Sequence, residues 1–203
     1  MISMKTMQRS IKILLCLAAV VFFAVIPQGT EFLVYAKSDK PDSEYVVFTE
    51  KNIKTQDMRK KSDLDKKKLA EYMKKFPSLS GIEDTLLEAQ DEYQVNAILI
   101  LAIVRLESGN GKSKIAQSKN NLGGITAVEK SVTVYKSFDT KGDCIIYMAK
   151  LLSKNYLTDG GKYFNGYTLP DIAKKYSASP DKWCNLVKEL IYEIQKGIDK
   201  IKI

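Results

Sequence analysis

Histidine is absent from the whole 203-residue chain. Its absence excludes Ser-His-Asp and Cys-His catalysis, HExxH zinc proteases and most histidine-ligated metal sites. Cysteine is scarce too, because three residues are too few for a disulfide framework and none forms a CxxC pair. Any catalysis must therefore rest on carboxylates, tyrosine, lysine, serine or cysteine, and we expect neither a metal nor a cofactor.

A phosphate-binding loop is excluded, although Gly111-Lys112-Ser113 has the form of the end of one. That motif requires a glycine five residues before Gly111, where the chain has Leu106. Nucleic-acid recognition lacks support as well, because the basic residues are mixed with acidic ones instead of forming a stripe with aromatics. We therefore predict neither a nucleotide ligand nor a nucleic-acid partner.

The N-terminus has the features of an export signal. Three basic residues among the first twelve precede an apolar run over 13–26, and the residues at 34–36 suit cleavage after Ala36. We predict a signal peptide at residues 1–36, with membrane anchoring as the alternative if this segment is not cleaved. Either way, we expect the protein to work outside the cytoplasmic membrane.

The chain is basic, with a formal net charge of +8. Loss of residues 1–36 would remove three basic residues and one acidic residue, which leaves a net charge of +6. A basic exported protein concentrates near anionic polymers, such as those of a cell wall. Ordinary solubility with loose attraction to such polymers is enough to explain this charge.

One folded unit is predicted, preceded by a polar linker. Residues 37–61 are polar and charged apart from a short β-prone patch at 45–49, which is typical of a linker or loosely held arm. We place the folded unit at residues 62–203, a length ordinary for one domain. We expect this domain to be monomeric.

Most of the folded unit shows the apolar spacing of helices. The predicted helices cover 64–76, 81–93, a central helix from 97, then 139–157, 169–176 and a last helix from 180. Asn96 can cap the central helix, and alternating residues at 132–135 predict a β-hairpin within 125–137. The sequence therefore predicts a mainly α, α+β fold, with helices around a buried central helix and one small hairpin lobe.

The strongest catalytic candidate, Glu107, lies near the end of the central helix. Residues 97–104 are all apolar, so this helix has no polar face and should lie inside the domain, with Gly109 as its exit. A carboxyl group where a buried helix opens into a cleft is partly desolvated, which favours the protonated form that a general acid needs. The alternative is an ordinary helix-end glutamate, solvated or paired with Arg105 or Lys112.

Three sequence blocks carry a family resemblance. They read Glu-Ser-Gly-Asn-Gly-Lys-Ser at 107–113, Asn-Leu-Gly-Gly-Ile at 121–125 and Ile-Ala-Lys-Lys-Tyr-Ser-Ala-Ser-Pro at 172–180. In this order they resemble the peptidoglycan β-N-acetylglucosaminidases of the autolysin and flagellar-hydrolase type, within the lysozyme-like superfamily. The resemblance covers roughly residues 80–194. Gly123 departs from the pattern, because an aromatic residue usually follows Asn-Leu there.

The resemblance implies a lysozyme-like fold and hydrolysis of the β-1,4 glycan strand of peptidoglycan on the GlcNAc side of the bond. It implies Glu107 as general acid and Tyr176 as a cleft residue that hydrogen-bonds the reacting sugar, although Tyr176 could instead pack on the core. Glu129 in the hairpin is the candidate second carboxylate that activates water, or else an exposed turn charge, with Asp139 just beyond. If neither reaches the cleft, the substrate's own N-acetyl group could act as nucleophile.

Four further residues are predicted to bind substrate: Ser108, Asn121, Gly123 and Gly124. Asn121 could hold an N-acetyl or backbone group, or simply form the turn. Three aromatic residues could line a sugar cleft or fill the core: Tyr163, Phe164 and Trp183. Cys144 and Cys184 could form a disulfide or remain two buried thiols.

Two rival functions stay open from the sequence. A muramidase or lytic transglycosylase needs only one glutamate, which acts first as acid and then as base. A non-catalytic lysozyme-like module would bind wall glycan without cutting it, although the presence of Glu107 argues against this function. In each case we expect peptidoglycan glycan strands and anionic wall polymers as partners, and a secreted or wall-associated protein.

Overall fold

The computed structural model describes residues 44–129 and 131–203, so the predicted signal peptide lies outside the described residues. In chain order the elements are β1 (Tyr45–Val46), β2 (Lys61–Ser62), α1 (Lys66–Met73), a 3-10 helix (Pro77–Leu79), α2 (Glu83–Tyr93), α3 (Ala97–Ser108), α4 (Lys114–Lys119), β3 (Thr126–Glu129), β4 (Val132–Tyr135), α5 (Lys141–Tyr156), α6 (Leu169–Tyr176) and α7 (Pro180–Asp199). Within these two ranges, no helix is long and apolar enough to span a membrane.

Helix α3 lies at the centre because its sequence offers no polar face. Residues 97–104 are at most 1 % exposed, and α2, α5 and α7 pack around the helix. Asn96 caps it as predicted, since its Oδ1 accepts the backbone N–H groups of Ile98 and Leu99 at 3.0 and 3.2 Å. Gly109, with φ 58°, ends the helix in a left-handed conformation. Glu107 is thereby held in the last turn of a rigid, buried helix.

The prediction of a mainly helical fold with one hairpin lobe is confirmed. Strands β3 and β4 pair antiparallel, from Thr126 opposite Tyr135 to Glu129 opposite Val132. Helix α4, which is capped by the Ser113 side chain, is not among the helices predicted from the sequence. This helix has only six residues and a mostly polar composition, so it carries too little apolar periodicity to be recognised.

Residues 44–61, which we call the N-terminal arm, pack on the helical domain, whereas the sequence predicted a polar linker there. Val46, Phe48, Ile53 and Met58 are at most 5 % exposed, and β1 pairs in parallel with β2. The linker prediction failed because these apolar side chains are spaced irregularly among polar ones, so no helical or strand period marks them. The folded unit therefore begins before residue 62.

The N-terminal arm also ties the start of α3 to the loop between α5 and α6. The Met58 N–H donates to the Tyr167 carbonyl at 2.8 Å, and the Met58 carbonyl accepts the Asn96 N–H at 2.9 Å. The Arg59 guanidinium lies 3.4 Å from the centre of the Tyr167 ring. The arm is thus attached to the loop that carries Tyr163.

Candidate active site

Glu107 lies at the exposed end of α3, where one hydrogen bond orients its side chain. The indole Nε1–H of Trp183 donates to Glu107 Oε1 at 3.1 Å, and Trp183 is only 7 % exposed. The partial desolvation expected from the sequence is not seen, because the Glu107 residue is exposed. The hydrogen bond uses Oε1 of Glu107, so Oε2 remains for contacts with a ligand.

The alternative of a simple ion pair is not seen either. Arg105 turns away from Glu107, donates to the Tyr72 hydroxyl at 2.9 Å and pairs with Glu193 at 3.2 Å. Within the described ranges, no lysine or arginine forms an ion pair with Glu107. The Glu107 carboxyl group is therefore held by a neutral donor and has no cation partner among the described residues.

Glu107 opens into a cleft of about 560 Å³, within the ordinary size range of ligand sites. The lining side chains come from α3, the segment that leads into β3, α5, the loop after α5, and the region of α6 and α7. They are Glu107, Gly123, Gly124, Ile125, Thr126, Tyr147, Leu151, Tyr156, Tyr163, Tyr176, Ser177, Ala178 and Trp183. Glu107 is the one carboxylate among these lining residues.

Four neighbouring aromatic rings, tilted against one another, line the cleft beside Glu107, and we call them the aromatic wall: Tyr163, Tyr156, Tyr176 and Trp183. Successive ring centres are 5.1, 5.6 and 4.7 Å apart. Tyr163 and Trp183, for which the sequence left cleft and core open, thus belong to the cleft. Phe164 instead packs on Tyr167 with ring centres 5.1 Å apart. The wall offers apolar faces to a ligand and ends at the residue that orients Glu107.

Tyr176 occupies the middle of the aromatic wall. Burial, and to a lesser degree the charge of Glu107, raises the pKa of its phenol well above the usual range. The phenol therefore keeps its proton at neutral pH and remains a hydrogen-bond donor. The structure thus places Tyr176 beside Glu107 in the cleft.

Gly123 and Gly124 also line the cleft, and the structure explains why an aromatic residue is missing at the first of them. A Cβ atom on Gly123 would lie 2.5 Å from Sδ of Met148, a buried residue of α5. Met148 thus fills the space into which a side chain at residue 123 would extend. Gly124 has φ 62°, a left-handed conformation that favours glycine.

Ser108 and Asn121, predicted to contact substrate, lie outside the cleft and form loops instead. The buried Ser108 hydroxyl donates to the Val104 carbonyl at 2.6 Å and accepts the Gly111 N–H at 2.7 Å. The buried Asn121 amide makes three hydrogen bonds of 2.8–2.9 Å to backbone groups on either side of the hairpin. Both side chains are therefore committed to holding the backbone that surrounds the cleft.

The two candidates for a second carboxylate do not line the cleft. Glu129 is the exposed last residue of β3, and Asp139 is exposed before the start of α5. The Asp139 backbone carbonyl accepts a hydrogen bond from Asn120 Nδ2 at 2.9 Å. The described residues therefore bring one carboxylate, Glu107, to the site.

Cys144 and Cys184 are buried and free, so they do not form a disulfide. Burial raises the pKa of both thiols. The Sγ atom of Cys144 accepts the Leu122 N–H at 3.2 Å, directly before Gly123 in the chain. Cys144 therefore holds the backbone next to the cleft residue Gly123.

Several cleft residues were missed from the sequence: Ile125, Thr126, Tyr147, Leu151, Tyr156, Ser177 and Ala178. Tyr147 and Leu151 are four residues apart and so share one face of α5, a signal that the sequence does contain. Nothing in the sequence distinguishes that face from a core face, because both are apolar. Ser177 and Ala178 belong to the third sequence block and could have been carried over with Tyr176.

Comparisons with known proteins agree with the resemblance. The glucosaminidase family model, described as mannosyl-glycoprotein endo-beta-N-acetylglucosaminidase, matches residues 83–196. Two relatives from Streptococcus pneumoniae, strains TIGR4 and R6, carry the provisional name endo-beta-N-acetylglucosaminidase and are each 33% identical over 138 residues. That match covers 64% of this chain but 21% and 19% of the relatives, so the chain spans about a fifth of their length.

Solved structures show the same fold. The crystal structure of S. aureus Autolysin E matches with a TM-score of 0.58 and 21% identity over 73% of each chain. A catalytic mutant of that protein in complex with the disaccharide NAG-NAM matches with a TM-score of 0.57 and 22% identity, over 71% of this chain and 72% of that one. The predicted lysozyme-like fold is confirmed, and the match over residues 83–196 shows that the chain belongs to the glucosaminidase family.

Proposed function

We propose that this chain is an exported endo-β-N-acetylglucosaminidase that cuts the β-1,4 glycan strand of peptidoglycan, with Glu107 as general acid. The observation that carries the proposal is the cleft of about 560 Å³ in which Glu107 is the one carboxylate and is oriented by Trp183. Family membership supports the reaction, and the complexes of Autolysin E with NAG-NAM and with a muropeptide support the substrate. The family and the basic, apolar N-terminal sequence support a secreted or wall-associated location.

Glu107 is suited to protonate the leaving glycosidic oxygen while positive charge builds up on the sugar ring. The apolar aromatic wall gives the sugar rings a surface to pack against, and the protonated Tyr176 phenol can donate a hydrogen bond to the reacting sugar. Both act on the substrate without taking a proton from it. Glu107 is thereby left as the group that transfers the proton.

We assign no step of the reaction to Glu129 or Asp139, because neither residue lines the cleft. In this scheme the carbonyl oxygen of the substrate's N-acetyl group attacks the anomeric carbon as the glycosidic bond breaks, and Glu107 gives its proton to the leaving oxygen. Water then opens the resulting ring, and the Glu107 carboxylate takes a proton from that water. Substrate assistance of this kind is a recognised exception to the two-carboxylate scheme.

A muramidase or lytic transglycosylase is the second candidate function, because the single carboxylate of the cleft also fits it. In the transglycosylase, Glu107 would first protonate the leaving oxygen and then take a proton from the sugar's own hydroxyl, which closes an anhydro ring. The two candidates differ in the glycan ends that they produce.

The test is digestion of purified peptidoglycan by the full chain and by Glu107→Gln, with the released glycan ends identified by mass spectrometry. We expect reducing GlcNAc ends from the wild type and a loss of about 10²–10⁴-fold in rate for Glu107→Gln. Glu129→Gln and Asp139→Asn are the matched carboxylate controls and should keep wild-type activity.

Each other outcome has a defined meaning. Reducing or anhydro-MurNAc ends would replace the glucosaminidase proposal by the second candidate. A rate loss in Glu129→Gln comparable to that of Glu107→Gln would show that the hairpin carboxylate takes part. Wall binding without release of any fragment would support the non-catalytic module.

A further inference from the structure

Two tyrosines that line the cleft each carry a lysine over the ring. The Lys136 Nζ lies 5.2 Å from the ring centre of Tyr147, and the Lys162 Nζ lies 5.0 Å from that of Tyr163. Lys136 follows β4 directly, and Lys162 precedes the aromatic-wall residue Tyr163 in the chain. We call Lys136 and Lys162 the rim lysines.

The positive charge of the rim lysines is not neutralised within the described part of the protein. Neither lysine forms an ion pair with any described carboxylate, whereas Lys61, Lys66 and Lys74 all do. A ring face attracts an exposed ammonium only weakly, so the pairing with tyrosine positions the charge without cancelling it. The one carboxylate in the cleft, Glu107, is bonded to Trp183 instead.

Two cations without a described ion-pair partner therefore lie beside rings that line the cleft, although neither lysine is itself a lining residue. A neutral glycan would use only the rings, whereas a glycan that carries carboxylate groups would also contact the ammonium groups. A ring next to each lysine restricts a flexible side chain, which lowers the entropy cost of a contact between its ammonium group and a polymer in the cleft.

We propose that the rim lysines bind carboxylate substituents of the glycan strand, so that the enzyme selects an anionic glycan over a neutral one of the same backbone. The inference rests on the proposed function, since it concerns the substrate of the same cleft. The free carboxylates of a peptidoglycan strand are those of the stem peptide and, wherever the peptide has been removed, that of the lactyl group.

The experiment compares kcat/KM on three soluble glycan substrates. The first consists of strands with stem peptides, and the second of strands from which an amidase has removed the peptides, leaving free lactyl carboxylates. The third consists of the same peptide-free strands after their lactyl carboxylates have been converted to methylamides. The proteins are the full-length wild type, the double variant Lys136→Gln/Lys162→Gln and the matched control Lys196→Gln, whose lysine lies 5.4 Å from the Tyr192 ring outside the cleft.

On carboxylate-bearing strands we expect the double variant to lose roughly three- to tenfold in kcat/KM, mostly through KM, as two exposed charge contacts allow. Its dependence on salt should also become weaker than that of the wild type. On the methylamide strands the wild type and the double variant should not differ, and Lys196→Gln should match the wild type throughout.

The comparison also identifies the carboxylate. A loss confined to peptide-bearing strands assigns the stem peptide, a loss confined to peptide-free strands assigns the lactyl group, and a loss on both shows that the rim lysines accept either carboxylate. The proposal is overturned if the double variant equals Lys196→Gln on charged strands, or if it loses as much on methylamide strands. A wild type that cuts none of the substrates refutes the proposed function instead, so the two failures are distinguishable.

Discussion

Replacement of Trp183 by phenylalanine tests whether the indole hydrogen bond orients Glu107. The substitution removes the Nε1–H that lies 3.1 Å from Glu107 Oε1 and keeps an aromatic ring next to Tyr176, whose centre is 4.7 Å from that of Trp183. Because Glu107 has no cation partner among the described residues, no other ion pair takes over its orientation. The variant therefore changes one contact of the proposed general acid directly.

The size of the effect follows from the exposure of the two partners. A hydrogen bond to a charged group contributes about 1.5–3 kcal/mol, and the lower end applies here because water can reach Glu107. A loss of about 1.4 kcal/mol of transition-state stabilisation is roughly tenfold in kcat/KM. The smaller ring should also lower the free energy of unfolding by about 1 kcal/mol.

The division of the loss between kcat and KM separates orientation of Glu107 from loss of substrate binding. Because phenylalanine keeps a ring at the end of the aromatic wall and only the hydrogen bond to Glu107 is lost, we expect the loss in Trp183→Phe to fall mainly on kcat. A loss that falls on KM alone, or an unchanged rate, would refute the role assigned to Trp183.

Three further predictions concern stability. Residues 44–203 should unfold cooperatively in thermal melts followed by circular dichroism, whereas residues 62–203 should not. Each of the four buried side chains of the N-terminal arm contributes about 1.5–3 kcal/mol to the free energy of unfolding. Equal melts of the two proteins would contradict the packing of the arm. Gly123→Ala should lower the free energy of unfolding, measured in urea, by about 1–3 kcal/mol. The double variant Gly123→Ala/Met148→Ala should lose less than the sum of the two single losses, because removal of the Met148 side chain relieves the clash. Additive losses would show that the clash is absent. Burial raises the pKa of Tyr72 to about 12, above the unfolded value of 10.0, so the stability that its proton provides is complete below pH 10 and is lost as pH rises to 12. Urea titrations should show about 2–3 kcal/mol less stability at pH 12 than at pH 9, and a smaller fall in Tyr72→Phe; an equal fall in both proteins would assign the loss to other groups.

The sequence was sufficient to predict the central helix and its two ends. Eight successive apolar residues exclude a surface helix, and Asn96 and Gly109 mark its ends by local chemistry alone. Glu107 therefore had to lie where a buried helix reaches the surface. These inferences succeed because they depend on neighbours in the chain.

Contacts between distant parts of the chain could not be predicted in the same way. Trp183 lies 76 positions after Glu107, and nothing in either local sequence indicates that their side chains meet. The N-terminal arm was missed for the same reason, because Ile53 and Met58 find their apolar partners only in the folded domain. Burial of an irregular segment is a property of the tertiary structure rather than of its own pattern.

The first sequence block shows why a motif does not translate directly into a list of substrate contacts. Of its seven residues only Glu107 lines the cleft, and Ser108 bonds the backbone on both sides of the turn. Gly109 ends α3, and Gly111 lies so close to the chain that a Cβ atom there would be 2.7 Å from the Ser78 carbonyl oxygen. Ser113 caps α4. Since Ser108, Gly109 and Gly111 build a tight turn after one carboxylate, the motif specifies where a rigid helix ends. What that carboxylate contacts depends on the residues that the rest of the fold brings to that end.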